Sequence, residues 1–128
     1  SLKYIKKILK KLSEDPVTNK TPTIVFARDP KCNLNEFKLD DLSCYGMFTS
    51  INPNNAISVF EGSHALQGNL DPKILLEEDS VIKESVSRIL SDFKDYPGYI
   101  FNLGHGITPD INPDKVKVLV EAIRDSGS

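Results

Sequence analysis

Tryptophan is absent from the 128 residues, methionine occurs once, and cysteine and histidine occur twice each. Cys32 and Cys44 form no Cys-x-x-Cys pattern and have no nearby histidine at ligand spacing. Reduced thiols are therefore expected, rather than a disulfide framework or a zinc site. No apolar run approaches the roughly 20 residues that a membrane-spanning helix needs, so no membrane partner is expected. Nor is there a run of Lys and Arg interleaved with aromatics. With a net charge of −2 and a pI near 5.7, this argues against a polyanion-binding surface, and no nucleic-acid partner is expected. The one basic cluster, Lys6, Lys7, Lys10 and Lys11, reads as the solvated face of a helix. The N-terminal stretch has no small-residue cleavage site and is not a secretory signal. Low-complexity segments and inter-domain linkers are also missing.

What is present suits one folded unit: 39% apolar and 27% charged residues in a chain of single-domain length. Leu2, Ile5, Ile8, Leu9 and Leu12 recur at helical spacing and predict a helix over 2–14, ended by Asp15-Pro16. The run TIVFA at 23–27 predicts a buried strand, a short helix is expected over 33–41, and CYGMFT at 44–49 predicts a second strand. Asn52-Pro53 opens a helix with Ala56, Val59 and Phe60 inward. A third strand covers 64–70, with Asp71-Pro72 as its turn. A helix beginning at Asp79 or Ser80 turns Ile82, Val86, Ile89, Leu90 and Phe93 to one side. The fourth strand covers 99–103. Asn112-Pro113 opens the last helix, in which Val116, Leu119, Val120 and Ile123 face inward and Gly127 ends the run.

One helix followed by four strand-helix units is an α/β pattern with parallel strands and right-handed crossovers. Four such units are half of a (β/α)₈ barrel, which takes about 250 residues to close. Residues 1–128 are thus expected to form a single domain that is a piece of a longer barrel.

The stretch GYIFNLGHG at 98–106 concentrates the chemistry: an apolar strand running into a Gly-His-Gly turn. Glycines let backbone approach a ligand closely, and the C-terminal end of a parallel strand is where barrels place their sites. From chemistry alone His105 has two readings, a ligand-facing imidazole or a loop histidine that fixes its own turn. His64, ahead of the third strand, reads as a surface residue.

Two ungapped segments, LQGNLDP at 66–72 and NLGHGITPDINPDKV at 102–116, closely resemble the C-terminal part of the uroporphyrinogen decarboxylase family, and TIVFARD at 23–29 resembles an earlier strand of it. The resemblance runs nearly the whole chain and implies the C-terminal half of a TIM barrel. Two departures stand out. Gly46-Met47-Phe48-Thr49 replaces a GLDW-like strand end, so an acidic residue and a tryptophan are missing. PKCNLNEF replaces a glycine-rich segment.

The activity implied is cofactor-free removal of carboxylate from the acetate side chains of uroporphyrinogen III, giving coproporphyrinogen III in haem and tetrapyrrole biosynthesis. A protonated pyrrole accepts the charge left behind by carbon dioxide, so no metal or pyridoxal is needed. The enzyme supplies an acid, a partner for the cationic ring, and groups that hold carboxylates. The family draws an aspartate, arginines and a tyrosine for this from its N-terminal half, and none of those motif positions falls here. By the resemblance His105 is the catalytic histidine. Substrate-binding candidates are Gly68 and Asn69, as backbone and amide donors or else as turn architecture; Arg28, by its place at the ligand-facing end of a strand; and Gly104 and Gly106, which together with Asn102 also read as residues that shape the loop. The partners the resemblance implies are the tetrapyrrole substrate and a second copy in a homodimer. The cytoplasm is the simplest compartment, and a plastid form would carry its targeting peptide upstream.

Two other functions are weighed. Zinc-dependent methyltransferases of the same superfamily need a His-x-Cys strand end and a later loop cysteine; here Phe26-Ala27-Arg28-Asp29 and His105 occupy those places. Alternatively, the chain is a catalytically inactive half barrel that binds a tetrapyrrole or a protein partner.

Overall fold

The computed structural model describes residues 2–127. Its centre is a four-stranded parallel sheet in which spatial order is chain order. The strands are β1 (Ile24–Phe26), β2 (Cys44–Gly46), β3 (Ala65–Gln67) and β4 (Tyr99–Ile100). A further parallel bridge joins Leu70 to Leu103 beyond the last two. Helix α1 (Leu2–Glu14) precedes the sheet, and α2 (Pro53–Phe60), α3 (Asp79–Asp92) and α4 (Pro113–Ser126) follow β2, β3 and β4. The strand-helix alternation expected from the sequence is present, with one reduction. After β1 the chain makes only a 3₁₀ turn, Leu34–Phe37, and a second, Pro72–Leu76, stands where the sequence predicted a plain turn.

Four Asx-capped starts explain where these elements begin. Asn52 Oδ1 accepts from the backbone N–H of Asn54 at 2.9 Å, and Asn112 Oδ1 accepts from Asp114 at 2.9 Å. Asp71 and Asn33 do the same for the two 3₁₀ turns. In three of the four, proline follows the cap, where its missing N–H costs nothing and its fixed φ suits the first turn.

Register decides what the sheet buries. Val25, Tyr45, Leu66 and Tyr99 share one level. Tyr45 and Leu66 are wholly buried under the helices, alongside Ala56, Phe60, Ile82 and Val86. The Tyr45 ring packs between Phe37 (centroids 4.9 Å apart) and Phe60 (5.4 Å), and Tyr99 stacks on Phe93 of the α3 end at 4.0 Å. Each buried side chain of this size contributes about 1.5–3 kcal/mol by leaving water. Helices α3 and α4 pack side by side, tied at their N-terminal ends by Lys115 Nζ to Asp79 Oδ1 at 2.7 Å.

The opposite face is bare. Ile24, Phe26 and Ile100 are 54%, 49% and 44% exposed. Parallel sheets are normally covered on both faces, and in a closed barrel this face is the packed interior.

Three expectations are corrected. Ile8 is 58% exposed, because Leu9, one position on, takes the core contact of α1. In α4, Val120 is exposed and Val118 packs against the core instead. His64 is buried rather than superficial: Nδ1 meets Ser63 Oγ and Nε2 meets the Leu39 carbonyl, each at 2.7 Å, with the ring edge-on to Phe60. Both nitrogens are thereby committed to structure.

Candidate active site

The four strands end on the same side, and a cleft of about 270 Å³ opens there. Phe26, Gly46 and Gln67, level with one another in the sheet, form its floor. Met47, Asn102, Leu103, His105 and Gly106 complete it. Gly46 is needed for this floor: a Cβ there would stand 3.2 Å from Phe26 Cβ, so its absence lets the phenylalanine lie over β2. Among the lining residues none is Asp, Glu, Lys or Arg.

The loop that carries His105 is held tightly at its start. The Asn102 side chain accepts from the N–H of Leu103 at 2.8 Å, the Asn102 carbonyl accepts from Leu70 at 3.2 Å, and the Gly104 N–H donates to the Leu70 carbonyl at 2.8 Å. Gly104 is buried against Thr49. His105 then turns back on its own chain, with Nδ1 2.9 Å from the Gly106 carbonyl. A carbonyl only accepts, so Nδ1 carries a proton and Nε2 is left as the atom that gains or loses one. The imidazole also packs on Phe48, centroids 5.9 Å apart and planes inclined by 34°, while Phe48 meets Phe26 edge-on at 6.3 Å.

The other sequence-predicted residues are dispersed. Arg28 is exposed and lines a separate hollow with Asp29, Cys32 and Glu36. The Gly68 N–H donates to the Ile100 carbonyl at 3.1 Å, and its own carbonyl accepts from the Tyr99 hydroxyl. Asn69 is 5% exposed, and its amide nitrogen donates to the carbonyls of Phe48 (2.8 Å) and Ile51 (2.6 Å), bracing the segment between β2 and α2. Of the six candidates, His105 and Gly106 reach the cleft. A Cβ on Gly106 would meet nothing within 4 Å, so the loop is open beside the imidazole.

Sequence reasoning missed Phe26, Gly46, Met47 and Gln67, and treated Asn102 as a shaper of the loop. The period of two in each strand was the available signal: Tyr45 and Leu66 face the helices, so Gly46 and Gln67 must face the other way.

Burial shifts titratable groups elsewhere in the fold. Burial pushes the Tyr45 phenol up to about 12, and Tyr99 is raised further by the same cause. Burial also raises the thiols of Cys32, where Glu36 adds to the effect, and Cys44; both cysteines are free. Among the described residues no three His, Cys, Asp or Glu side chains gather as a metal site, and no helix is long and apolar enough to cross a membrane.

Comparison with known proteins fits this geometry. The sequence model of the family Uroporphyrinogen decarboxylase (URO-D) matches residues 1–126. A uroporphyrinogen decarboxylase of Alcanivorax borkumensis is 39% identical over 123 residues, 96% of this chain and 35% of the relative. That of Hahella chejuensis is 34% identical over 125 residues, covering 98% and 35%. That of Vesicomyosocius okutanii is 56% identical over a shorter 59-residue stretch, 46% of this chain and 17% of the relative. The chain therefore spans about 35% of the length of the first two relatives. A solved methyltransferase from Methanosarcina mazei superposes with a TM-score of 0.69 at 17% identity, over 100% of this chain and 38% of that one, a likeness of fold alone. By its family match and by similarity to these decarboxylases over almost all of its own length, the chain belongs to the uroporphyrinogen decarboxylase family.

Proposed function

We propose that the chain is the C-terminal part of a carboxy-lyase that removes the acetate carboxylates of uroporphyrinogen III and yields coproporphyrinogen III, without a cofactor. The observation that carries this reading is His105: a histidine in the family-like NLGHG loop stands over an open cleft, with Nε2 free to exchange a proton. The reaction needs a proton delivered to a pyrrole carbon before carbon dioxide leaves, a proton added to the side-chain carbon that carbon dioxide left, and release of the ring-carbon proton to restore the pyrrole. A positioned imidazole contributes about 10²–10⁴-fold to such a step. The ring, once protonated, holds the electron pair that the breaking C–C bond releases.

In this reading His105 gives or steers the proton, and Gly106 leaves room for the substrate beside it. Gly68, Asn69 and Gly104 act by fixing the segments around the cleft. Arg28, beyond the end of β1, takes a substrate carboxylate that extends past the cleft. The bare sheet face with Ile24, Phe26 and Ile100 becomes the barrel interior when residues 1–128 fold as one domain with the rest of the polypeptide. A homodimer and a cytoplasmic location belong to the same reading and rest on family resemblance.

The test is anaerobic incubation of the full-length protein with uroporphyrinogen III, products being oxidised and sorted by carboxylate number. Hepta- to tetracarboxylic products support the proposal. Unchanged octacarboxylic material, with the protein folded, overturns it.

A further inference from the structure

Phe48 stands where the family pattern has an acidic residue, and the structure gives it a specific place. Its ring bridges the two rings of the cleft, meeting Phe26 at 6.3 Å and 62° and His105 at 5.9 Å and 34°. Its carbonyl is in turn fixed by the buried Asn69 amide at 2.8 Å, so backbone and side chain are both constrained. Half-buried itself, Phe48 supports two residues that line the cleft.

We propose that Phe48 is a positioning residue that sets the plane of the His105 imidazole by ring packing, in place of a charged contact. An aromatic ring and an imidazole in contact attract through face and edge and restrict rotation about the histidine side-chain bonds. A carboxylate at the same place would hold the ring through charge and favour its cationic form. The phenyl ring orients it without that bias. The residues that share the cleft with His105 from the packed elements carry no charge: Phe26 from β1, Gly46 from β2, Met47 just after it, and Gln67 from β3. Arg28 and Asp29, which follow Phe26, line a different hollow, and Asp110, on the histidine's own loop, is bonded by Thr108. The catalytic consequence rests on the decarboxylase reading; the packing relationship does not.

The experiment is nuclear magnetic resonance of the full-length protein labelled at histidine, with the His105 signal assigned by its loss in His105→Gln. In the unsubstituted protein, cross-relaxation between the Phe48 and His105 ring protons is expected. Phe48→Leu displaces the imidazole resonances and lowers kcat about threefold to tenfold with little change in KM. Phe48→Tyr, which keeps the ring, restores both. Phe48→Asp moves the His105 titration, and the matching limb of the pH–rate profile, up by about one pH unit. Absent cross-relaxation in the unsubstituted protein overturns the proposal. So do His105 signals and titration unchanged in both the Leu and the Asp variant. Neither result depends on turnover, so a protein that fails to decarboxylate but shows the ring coupling removes the function and leaves the positioning role.

Discussion

Gly104 and Thr49 are packed backbone to backbone: a Cβ on the glycine would stand 2.7 Å from both Cα and N of the threonine. This contact joins the loop after β4 to the segment after β2, and so locks the histidine loop to the piece of chain that bears Phe48. Gly104→Ala is expected to cost about 1–3 kcal/mol by overpacking and to displace His105, lowering activity beyond the stability loss. Gly106→Ala, two residues on and open on that side, is the control and leaves the melting temperature nearly unchanged. Thermal melts of the two variants, run together, check the difference.

Asn69 offers a second prediction. Replacing it with Ala leaves the Phe48 and Ile51 carbonyls without their amide donor in a buried place, which costs about 1–3 kcal/mol for each acceptor left unpaired. Denaturant unfolding of Asn69→Ala measures this. A loss below about 0.5 kcal/mol would mean that water replaces the amide.

Removal of the imidazole itself is the direct check on chemistry. His105→Gln is expected to lower kcat by about 10²–10⁴-fold and leave the fold intact, because the ring's own backbone bond is local to the exposed loop. Circular dichroism and turnover of uroporphyrinogen III, measured on the same sample, separate the two effects.

The pair between α3 and α4 predicts a pH dependence. Its hydrogen bond from Lys115 holds the Asp79 carboxyl below its ordinary 3.8. The pair therefore stabilises the protein above pH 3.8, and this contribution fades as the pH falls through the lower value of the folded state. The same contact raises Lys115 above 10.5, so the contribution is also lost at pH values beyond that. Asp79→Asn is expected to lower the melting temperature slightly at pH 7, less so in high salt, and to match the parent protein at pH 2.

How much of this was legible beforehand can be judged element by element. Strand-helix alternation was readable because β-branched runs and Asx-Pro caps are local signals, and Asn52 and Asn112 each cap where their sequence predicts; Asp71 caps a 3₁₀ turn where only a plain turn was expected. The motif around His105 was readable for the same reason. The burial of His64 was not, since it depends on the Leu39 carbonyl 25 residues away. Nor was the contact between Phe48 and His105, which exists only once β2 and β4 are set on the same side of the sheet. Asn69 looked like a ligand donor because an amide after a glycine at a strand end is polar and available in sequence; the fold spends it on two carbonyls. Exposure of Ile8 and Val120 turned on shifts of one or two residues along a helix face, finer than an apolar stripe resolves.

Because every strand pairs with the strand next to it in the chain, the sheet can assemble by successive addition, each new strand docking on a finished neighbour. Partly made protein then shows one growing edge and a single oily face, with Phe26 and Ile100 upon it. On the barrel reading proposed above, that surface is exposed during synthesis, and its lifetime before the barrel closes sets how prone the nascent polypeptide is to stick to its own kind.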